Sequence, residues 1–271
     1  MKQLLSNKDY HAHAAIGSTT LKAICKTSVL HAMERPFNPS AAMILGTAVH
    51  TAIFEPETFV DEYLVSPKFD RRTKAGKEGY ANFQEMALCK TVINDEQMSV
   101  IGSMKQSIMS HPIANTMITG GDAELSFFTT CPETGLELKC RPDYVKDGAL
   151  IDLKTCQDAS ARGFAKSCAG LMYHIQAAFY LDVYNLKNGA TFNEFYFLAV
   201  ESSAPHGIGI YKLETEAIEY GRIQYKEALR KLKEYLIAKE LGEIDRHAFS
   251  YSNEIININL PAWVYNAQGQ Q

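Results

Sequence analysis

Residues 140–155 read CRPDYVKDGALIDLKT, and the alternation within this stretch predicts two strands of a sheet. The Asp-Gly pair at 147–148 is typical of a tight turn between antiparallel strands. Successive side chains of a strand point to opposite faces, so Asp152 and Lys154 share one face and their apolar neighbours share the other. The stretch therefore predicts an acid and a lysine side by side on a strand whose other face is buried.

A second acid precedes the turn. Pro142 cannot donate a hydrogen bond to a neighbouring strand, so we expect the first strand to bend there and to leave Asp143 close to Asp152. Two neighbouring carboxylates repel each other unless a cation neutralises them, and oxygen ligands suit Mg²⁺ or Mn²⁺. Hydrolysis of a phosphodiester needs such a metal and a nearby positive charge, which Lys154 would supply.

The same residues also fit a plainer interpretation, which is a surface salt bridge between Asp152 and Lys154. Such pairs are common on exposed strands and contribute little to stability. From these two residues alone the salt bridge is the commoner arrangement. The choice between the two interpretations therefore depends on the rest of the chain.

The composition is that of a soluble globular protein. The chain has 271 residues, of which 46% are hydrophobic and 21% charged, and this predicts one large domain with a sizeable core. The first residues contain no apolar stretch long enough for a signal peptide. The most apolar segment, AAMILGTAVHTAIF, is shorter than the roughly 20 apolar residues that span a bilayer. We expect a cytoplasmic protein that is not bound to a membrane, encoded by a bacterial host or its phage.

The cysteine pattern and the net charge exclude several classes of site. The six cysteines include no C-x-x-C pair, which argues against a zinc ribbon, a redox pair and an iron–sulfur cluster. The net charge of −4 argues against a general nucleic-acid binder, which is usually basic. A local basic channel on an acidic body stays compatible with that total.

The predicted elements run from helices to a meander of strands and then alternate. Pro132 to Gly135 and the Asp-Gly pair supply the turns of the meander. This order predicts a mixed α/β (α+β) fold in which helices flank a central sheet. The predicted helices begin after GSTT, with Ser18 or Thr19 as the cap, and lie at about 40–54, 95–119 with a break at His111-Pro112, 171–187 and 214–240; the predicted strands are AELSFFTT, LELKCRPDYV, ALIDLKT, FNEFYFLAV and GIGIYKL.

The helix at 171–187 carries two different stripes. Ile175, Phe179 and Val183 suit the core, whereas Tyr173, Gln176, Tyr180 and Tyr184 recur at spacings of three and four on another side. A glutamine and a tyrosine facing the acidic hairpin would support a metal site and contact a DNA backbone. A partly exposed helix edge fits the same pattern equally well.

Several spaced motifs together resemble a known family. The runs R-P-D at 141–143, D-L-K-T at 152–155 and Y-H-I-Q-A-A-F-Y at 173–180 resemble the PD-(D/E)xK nuclease superfamily, and more narrowly the RecE-type exonuclease of prophages (exonuclease VIII). The run G-T-A-V-H at 46–50 is similar to the helical histidine motif of the RecB-like branch. The run I-N-L-P-A-W at 258–263 looks like the tail of RecE-type catalytic domains. The resemblance covers nearly the whole chain.

The resemblance implies a role for each matched residue. Lys154 would be the catalytic lysine, and Asp143, Asp152, Glu124, His50 and the carbonyl of Leu153 would be metal ligands or support a metal through water. Gln176 and Tyr180 would complete the catalytic group and contact DNA. Without the resemblance, His50 fits a core histidine and Glu124 a solvent-facing strand residue. Many members have glutamate where Asp152 stands, and the cysteine cluster of the iron–sulfur members is missing.

The resemblance also implies an activity and an assembly. We expect a restriction-endonuclease-like central mixed sheet, Mg²⁺ or Mn²⁺ as cofactor, and 5′-to-3′ digestion of linear double-stranded DNA that leaves 3′ single strands for recombination. A homotetrameric ring and a single-strand annealing protein as partner are implied as well. Residues 1–271 would form one exonuclease domain, with a mainly helical part at 1–119 and the nuclease core and C-terminal helix at 120–271.

A basic segment at 66–78 precedes the predicted core. We predict a loop there that leads into a helix and holds the DNA, whereas a solvated loop that does not contact DNA fits the same residues. Two other functions stay open: an endonuclease of restriction or repair type, and a catalytically silent DNA-binding scaffold. The predicted DNA contacts are Arg71, Arg72, Lys74, Lys77 and Arg141.

Overall fold

A computed structural model describes residues 5–34, 36, 38–252 and 254–261. Ala262 and Trp263, which end the predicted tail motif, lie outside the described residues. Within the described ranges, no helix is both long enough and apolar enough to cross a membrane.

The centre of the molecule is a mixed sheet whose middle strand is β7, residues Ala149–Cys156. This strand pairs antiparallel with β6, residues Tyr144–Lys146, and parallel with β8, residues Glu194–Glu201. Residues 149–153 of β7 are all buried, so both faces of this strand are covered. The sequence predicted burial of one face only. The sheet order is β3–β6–β7–β8–β9, with β3 Asp122–Ala123, β6 Tyr144–Lys146, β7 Ala149–Cys156, β8 Glu194–Glu201 and β9 Ile208–Lys212.

Two predicted strands are each divided between two sheets. AELSFFTT splits because Glu124 adopts a left-handed backbone with φ of 51°, which a strand does not tolerate. LELKCRPDYV splits at 141–143, next to the proline that cannot donate. The start of AELSFFTT and the end of LELKCRPDYV join the central sheet. The other two parts pair with each other as a separate hairpin of β4 Phe127–Thr130 and β5 Glu137–Cys140.

A further parallel pair lies in the N-terminal part and was not predicted. β1 Tyr63–Ser66 and β2 Thr91–Asn94 pair with each other and lie before and after α6 Lys74–Met86 in the chain. Residues 1–119, which were predicted to be mainly helical, therefore also contain two strands. The basic segment leads into α6, as predicted.

The long helices lie close to their predicted positions. The predicted break at His111-Pro112 is confirmed, because one helix ends at Ser110 and the next begins at Pro112. The predicted cap at Ser18 or Thr19 is wrong: Gly17 is the N-cap, without a side-chain hydrogen bond, and Ser18 is buried inside the helix. The helices are α1 Asn7–Ala12, α2 Ser18–Lys26, α3 Val29–Glu34, α4 Ala41–Phe54, α5 Pro56–Glu62, α6, α7 Asp95–Ser110, α8 Pro112–Met117, α9 Ala161–Gly170, α10 Tyr173–Asn188 and α11 Thr215–Leu241.

Two apolar clusters cover the two faces of the sheet. Leu153 and Leu198 pack with α4 and α7 on one face. Phe195 and Phe197 pack with α10 on the other face, and α2 and α11 cover α10 in turn. Because α10 is enclosed on both sides, its predicted core residues are buried together with most of its polar stripe. The mixed α/β architecture with a central sheet flanked by helices is confirmed.

Removal of one side chain from α10 tests this packing. Phe179 is fully buried and packs edge-on against Tyr225 of α11, with ring centroids 5.4 Å apart. Phe179→Ala should lower the free energy of unfolding by about 3–5 kcal/mol, since it removes a large buried ring and leaves a cavity. Leu186→Ala on the exposed side of the same helix should cost less than about 1 kcal/mol. Urea titration of both variants measures the difference, and equal losses would contradict the described packing.

Candidate active site

The backbone of β7 fixes the first acid of the site. Leu153 donates its backbone N–H to Asp143 Oδ2 at 2.6 Å, and this contact is buried. The N–H and C=O groups of one strand residue point to the same side of the strand. The carbonyl of Leu153 therefore faces the same side of β7 as Asp143.

Three side chains from distant parts of the chain meet on this side of β7. Ligand atoms of His50, Glu124 and Asp143 all lie within 4.8 Å of one another, which is close enough to hold one metal ion. His50 comes from α4, and its Nδ1 lies 3.2 Å from Asp143 Oδ2. The backbone N–H of Glu124 donates to the carbonyl of Asp143 at 3.0 Å. The left-handed conformation of Glu124 is thus held in place beside the acid that it accompanies.

The electrostatics of these three groups call for positive charge. Burial lowers the pKa of His50, but the negative charge of Asp143 and its contact with the imidazole outweigh burial and raise that pKa to about 9. Burial and then the charge of Asp143 raise the pKa of Glu124 to about 8. Burial raises the pKa of Asp143 too, yet His50 overcompensates and the net pKa lies below its usual range. A protonated imidazole therefore provides, in part, the neutralisation that a metal ion would provide.

Asp152 and Lys154 form a buried pair beside this group. Lys154 Nζ lies 2.5 Å from Asp152 Oδ2, and the side chain of Asp152 is 1% exposed. Gln176 Nε2 donates to Asp152 Oδ1 at 2.5 Å, and Lys154 Nζ donates to Gln176 Oε1 at 3.1 Å. This burial excludes the surface salt bridge that the sequence left open. It also shows that Gln176 faces the acidic strands and does not lie at a partly exposed helix edge.

Both oxygens of Asp152 are engaged by neighbouring side chains. Oδ2 is enclosed and forms an ion pair with Lys154, without the alignment of a proper hydrogen bond. Burial, and next the charge of Asp143, raise the pKa of Asp152. A buried carboxylate is costly without a compensating cation, and Lys154 compensates Asp152 only in this one ion pair. The Asp152 carboxylate, the Leu153 carbonyl and the group around Asp143 form a donor set, mainly of oxygen atoms, that fits a divalent cation such as Mg²⁺ or Mn²⁺.

A polar cavity of about 180 Å³ opens over the site. Tyr180 of α10 contributes to its wall, although this residue is 9% exposed and belongs largely to the core; its predicted role in catalysis stays a prediction. The cavity also borders α1 and the end of α4, which the sequence did not associate with the site. Its lining residues are Asn7, Tyr10, His11, Thr47, His50, Thr51, Glu55, Glu124, Arg141, Asp143 and Tyr180.

Arg141 is engaged within the protein. Its side chain is 4% exposed; Nε lies 2.8 Å from Glu124 Oε2 and Nη2 lies 3.4 Å from Glu55 Oε1. Nη1 donates to the carbonyl of Leu5 ahead of α1 at 3.1 Å. Arg141 thus supports Glu124 and ties the N-terminal segment to the site. Its contact with DNA stays a prediction.

A second buried cation also holds the N-terminal segment. Lys139 Nζ donates to the carbonyls of Tyr10 at 2.6 Å and His13 at 2.8 Å. This contact attaches α1 to β5 and so fixes one wall of the cavity. The sequence offered no periodic signal for it, since a lysine in a strand is usually solvated.

The predicted DNA contacts of the basic segment at 66–78 are not among the residues that line the cavity. Arg71 stacks on Tyr80 with its guanidinium carbon 4.3 Å from the ring centroid, and Arg72 pairs with Asp70 at 2.9 Å. Lys74 and Lys77 lie exposed in the first turn of α6. Their contact with DNA stays a prediction.

The comparisons with known proteins agree with this architecture. Residues 18–241 match the family described as "PDDEXK-like domain of unknown function (DUF3799)". A crystal structure from Eubacterium rectale, of a protein provisionally named an exonuclease, superposes with a TM-score of 0.64 at 15% identity over 98% of each chain. An alkaline exonuclease from Laribacter hongkongensis matches 64% of this chain and 89% of its own, with 16% identity and a TM-score of 0.30. No curated protein is significantly similar in sequence.

These matches concern the fold. The superposition with the Eubacterium rectale protein covers nearly the whole chain, and the family match spans most of it. The predicted restriction-endonuclease-like arrangement of a central mixed sheet with flanking helices is therefore confirmed.

Loss of one carboxylate tests whether the group holds a metal. Asp143→Asn should weaken Mn²⁺ binding by more than about 100-fold, because even residues that only support metal ligands contribute about 10–100-fold to affinity. Isothermal titration calorimetry measures this affinity directly. Asp147→Asn, in the exposed turn between β6 and β7, is the matched control and should bind Mn²⁺ as the wild type does. If Asp143→Asn binds Mn²⁺ with the wild-type affinity, the ion lies at another site and Asp143 is not a ligand.

Proposed function

The chain belongs to the PDDEXK-like family DUF3799, within the PD-(D/E)xK nuclease superfamily, and on that premise we propose that it is a metal-dependent double-stranded DNA exonuclease. The proposal covers 5′-to-3′ hydrolysis of linear duplex and release of 3′ single-stranded ends for recombination. It treats residues 1–271 as one catalytic domain that acts as a homotetramer with a single-strand annealing protein.

One observation supports this proposal above all others. Buried acids and a buried lysine converge on the middle strand of the sheet, where a structural protein would place apolar side chains. Asp152 is 1% exposed and yet carries a carboxylate, and Lys154 beside it is likewise largely enclosed. Burial of such a pair seldom improves stability over apolar residues of the same volume. The arrangement therefore favours a chemical role over a structural or merely DNA-binding one.

The residues around the cavity divide the work of phosphodiester hydrolysis. His50, Glu124, Asp143, the Asp152 carboxylate and the Leu153 carbonyl would hold the cation. When bound, a divalent cation supplies Lewis acidity toward a phosphoryl oxygen and lowers the pKa of a coordinated water. The carboxylate and carbonyl oxygens in this donor set are the ligand types that suit Mg²⁺ and Mn²⁺.

Lys154 would stabilise the charge that develops on the phosphate. Burial lowers its pKa, but Asp152 outweighs burial, so the net pKa lies above its usual value and the side chain stays protonated. Gln176 and Asp152 fix the direction of the ammonium group. A preorganised positive charge in an enclosed site stabilises a transition state more than a solvated one does. The water oxygen bonds to phosphorus, the bond to the leaving oxygen breaks, and the products are a phosphate monoester and an alcohol.

Substitution of the lysine tests the activity. Purified Lys154→Ala should hydrolyse end-labelled linear duplex with Mg²⁺ about 100- to 1,000-fold more slowly than wild type, the usual cost of removing one preorganised donor. The exposed Lys187→Ala is the matched control and should keep the wild-type rate. Labels at either terminus report the direction of digestion.

Three results would contradict parts of this proposal. A wild-type rate in Lys154→Ala would exclude the proposed role of the lysine. Cleavage of closed circular duplex would indicate an endonuclease. Binding of linear duplex without hydrolysis under Mg²⁺ and Mn²⁺ would indicate a silent scaffold.

A further inference from the structure

A second lysine lies next to the catalytic pair and has no role in the mechanism above. Lys22 comes from α2, between the buried residues Leu21 and Ile24 that anchor this helix to the core. Its Nζ lies 5.7 Å from the centroid of the Tyr173 ring. Lys154 Nζ lies 4.6 Å from the centroid of the same ring. Two ammonium groups from distant parts of the chain therefore share one aromatic side chain.

The position of that ring is fixed by the backbone. Tyr173 is the first residue of α10, and Met172 before it adopts a left-handed conformation with φ of 54°. Such a conformation is unfavourable for a residue with a side chain and persists where the surroundings enforce it. The rings of Phe164 and Phe197 hold Tyr173 from behind, at centroid distances of 6.1 and 5.5 Å. The ring thus forms a rigid wall between the two lysines and the core.

The charge of Lys22 differs from that of Lys154 in its surroundings. Within the part of the chain that the structure describes, Lys22 forms no ion pair and no hydrogen bond. Lys154 is matched differently, because Asp152 lies 2.5 Å from it and Gln176 accepts from it. The attraction of a cation to an aromatic face compensates only in part for the loss of water.

The pKa of Lys22 is lowered in these surroundings. Burial, and next the charge of Lys154, lower the pKa of Lys22 to about 8, and the charge of Asp152 offsets this only in part. An ammonium group in such surroundings is stabilised by an incoming anion. The anion that a nuclease brings to this place is a phosphate of its substrate.

We propose that Lys22 binds a non-bridging oxygen of a phosphate in the strand being hydrolysed, beside the position at which Lys154 acts. This inference rests on the proposed function and assigns one substrate contact within it. Lys154 is held by Asp152 and Gln176, so it stays with the reacting centre. Lys22 is free to pair with the substrate and would position the strand against the rigid ring of Tyr173.

Phosphate neutralisation provides the test. A methylphosphonate linkage replaces one charged oxygen of DNA by a methyl group. Substrates with a single such linkage, placed in turn along the hydrolysed strand, are compared in single-turnover hydrolysis with Mg²⁺. For the wild type, neutralisation of the phosphate that Lys22 contacts should slow hydrolysis about 10- to 100-fold, the range of a hydrogen bond between charged groups. In Lys22→Met the same linkage should cause no additional loss.

The variants separate a substrate contact from a structural role. Lys22→Met should hydrolyse unmodified duplex about 10- to 100-fold more slowly while its Tm stays close to that of the wild type, because the lysine is only partly buried and has no acidic partner among the described residues. Lys22→Arg keeps the charge and should recover most of the rate. Lys26→Gln, one turn further along the exposed side of α2, should behave as the wild type does.

A measurement on the unaltered protein covers the case in which the variants fail to fold. Acylation of lysines, read by mass spectrometry, should be suppressed at Lys22 by linear duplex in Ca²⁺ and remain unchanged at the exposed Lys187.

The contrary results are distinct from those that test the activity. A wild-type rate in Lys22→Met, an equal methylphosphonate penalty in both proteins, or acylation of Lys22 that DNA does not reduce would overturn this inference and leave the proposed function standing, provided that Lys154→Ala is inactive. Failure of the wild-type protein to hydrolyse DNA would overturn both.

Discussion

The hydrogen bond from the Leu153 backbone to the Asp143 carboxylate is the constraint on which the site depends. It joins the middle strand of the sheet to the acid that follows the break at Pro142. Because that strand is covered on both faces, every charge at its edge must be matched by another group. His50 matches Asp143, and Lys154 matches Asp152. The polar residues of the cavity thus follow from the cost of placing carboxylates in the interior.

The same requirement explains why the N-terminal segment belongs to the site. Glu124 needs a counter-charge, and Arg141 supplies it while also contacting Glu55. The remaining donor of Arg141 binds the Leu5 carbonyl, and Lys139 binds carbonyls of α1. Two buried cations therefore connect the catalytic strands to the start of the chain. A change in either cation would alter the wall of the cavity as well as the stability of the fold.

The features that follow from local patterns could be predicted from the sequence. The alternation of ALIDLKT predicts β7, and the spacing of Ile175, Phe179 and Val183 predicts the buried side of α10. The motifs at Gly46 to His50 and at Asp152 to Lys154 also drew attention to residues that the structure brings together. The family roles of these residues remain predictions.

The features that depend on long-range contacts could not be predicted. The enclosed position of Arg141 could not be read from the sequence, because its partners Glu55 and Glu124 are distant along the chain. The left-handed backbone of Glu124 divides a strand that its composition would continue. Lys22 stands in an amphipathic helix with no sign of the ring that it meets 151 positions later, at Tyr173. Tertiary contacts override local preference in each of these cases.

Anomalous diffraction from crystals grown with Mn²⁺ tests the central claim most directly. The account predicts a manganese peak bound by Asp143 and at least one of its neighbours Glu124, His50 and Asp152, on the edge that the Leu153 carbonyl faces. A saturating concentration of Mn²⁺ that leaves these residues without a peak, while His50 and Lys154 still pair with the acids, would contradict it.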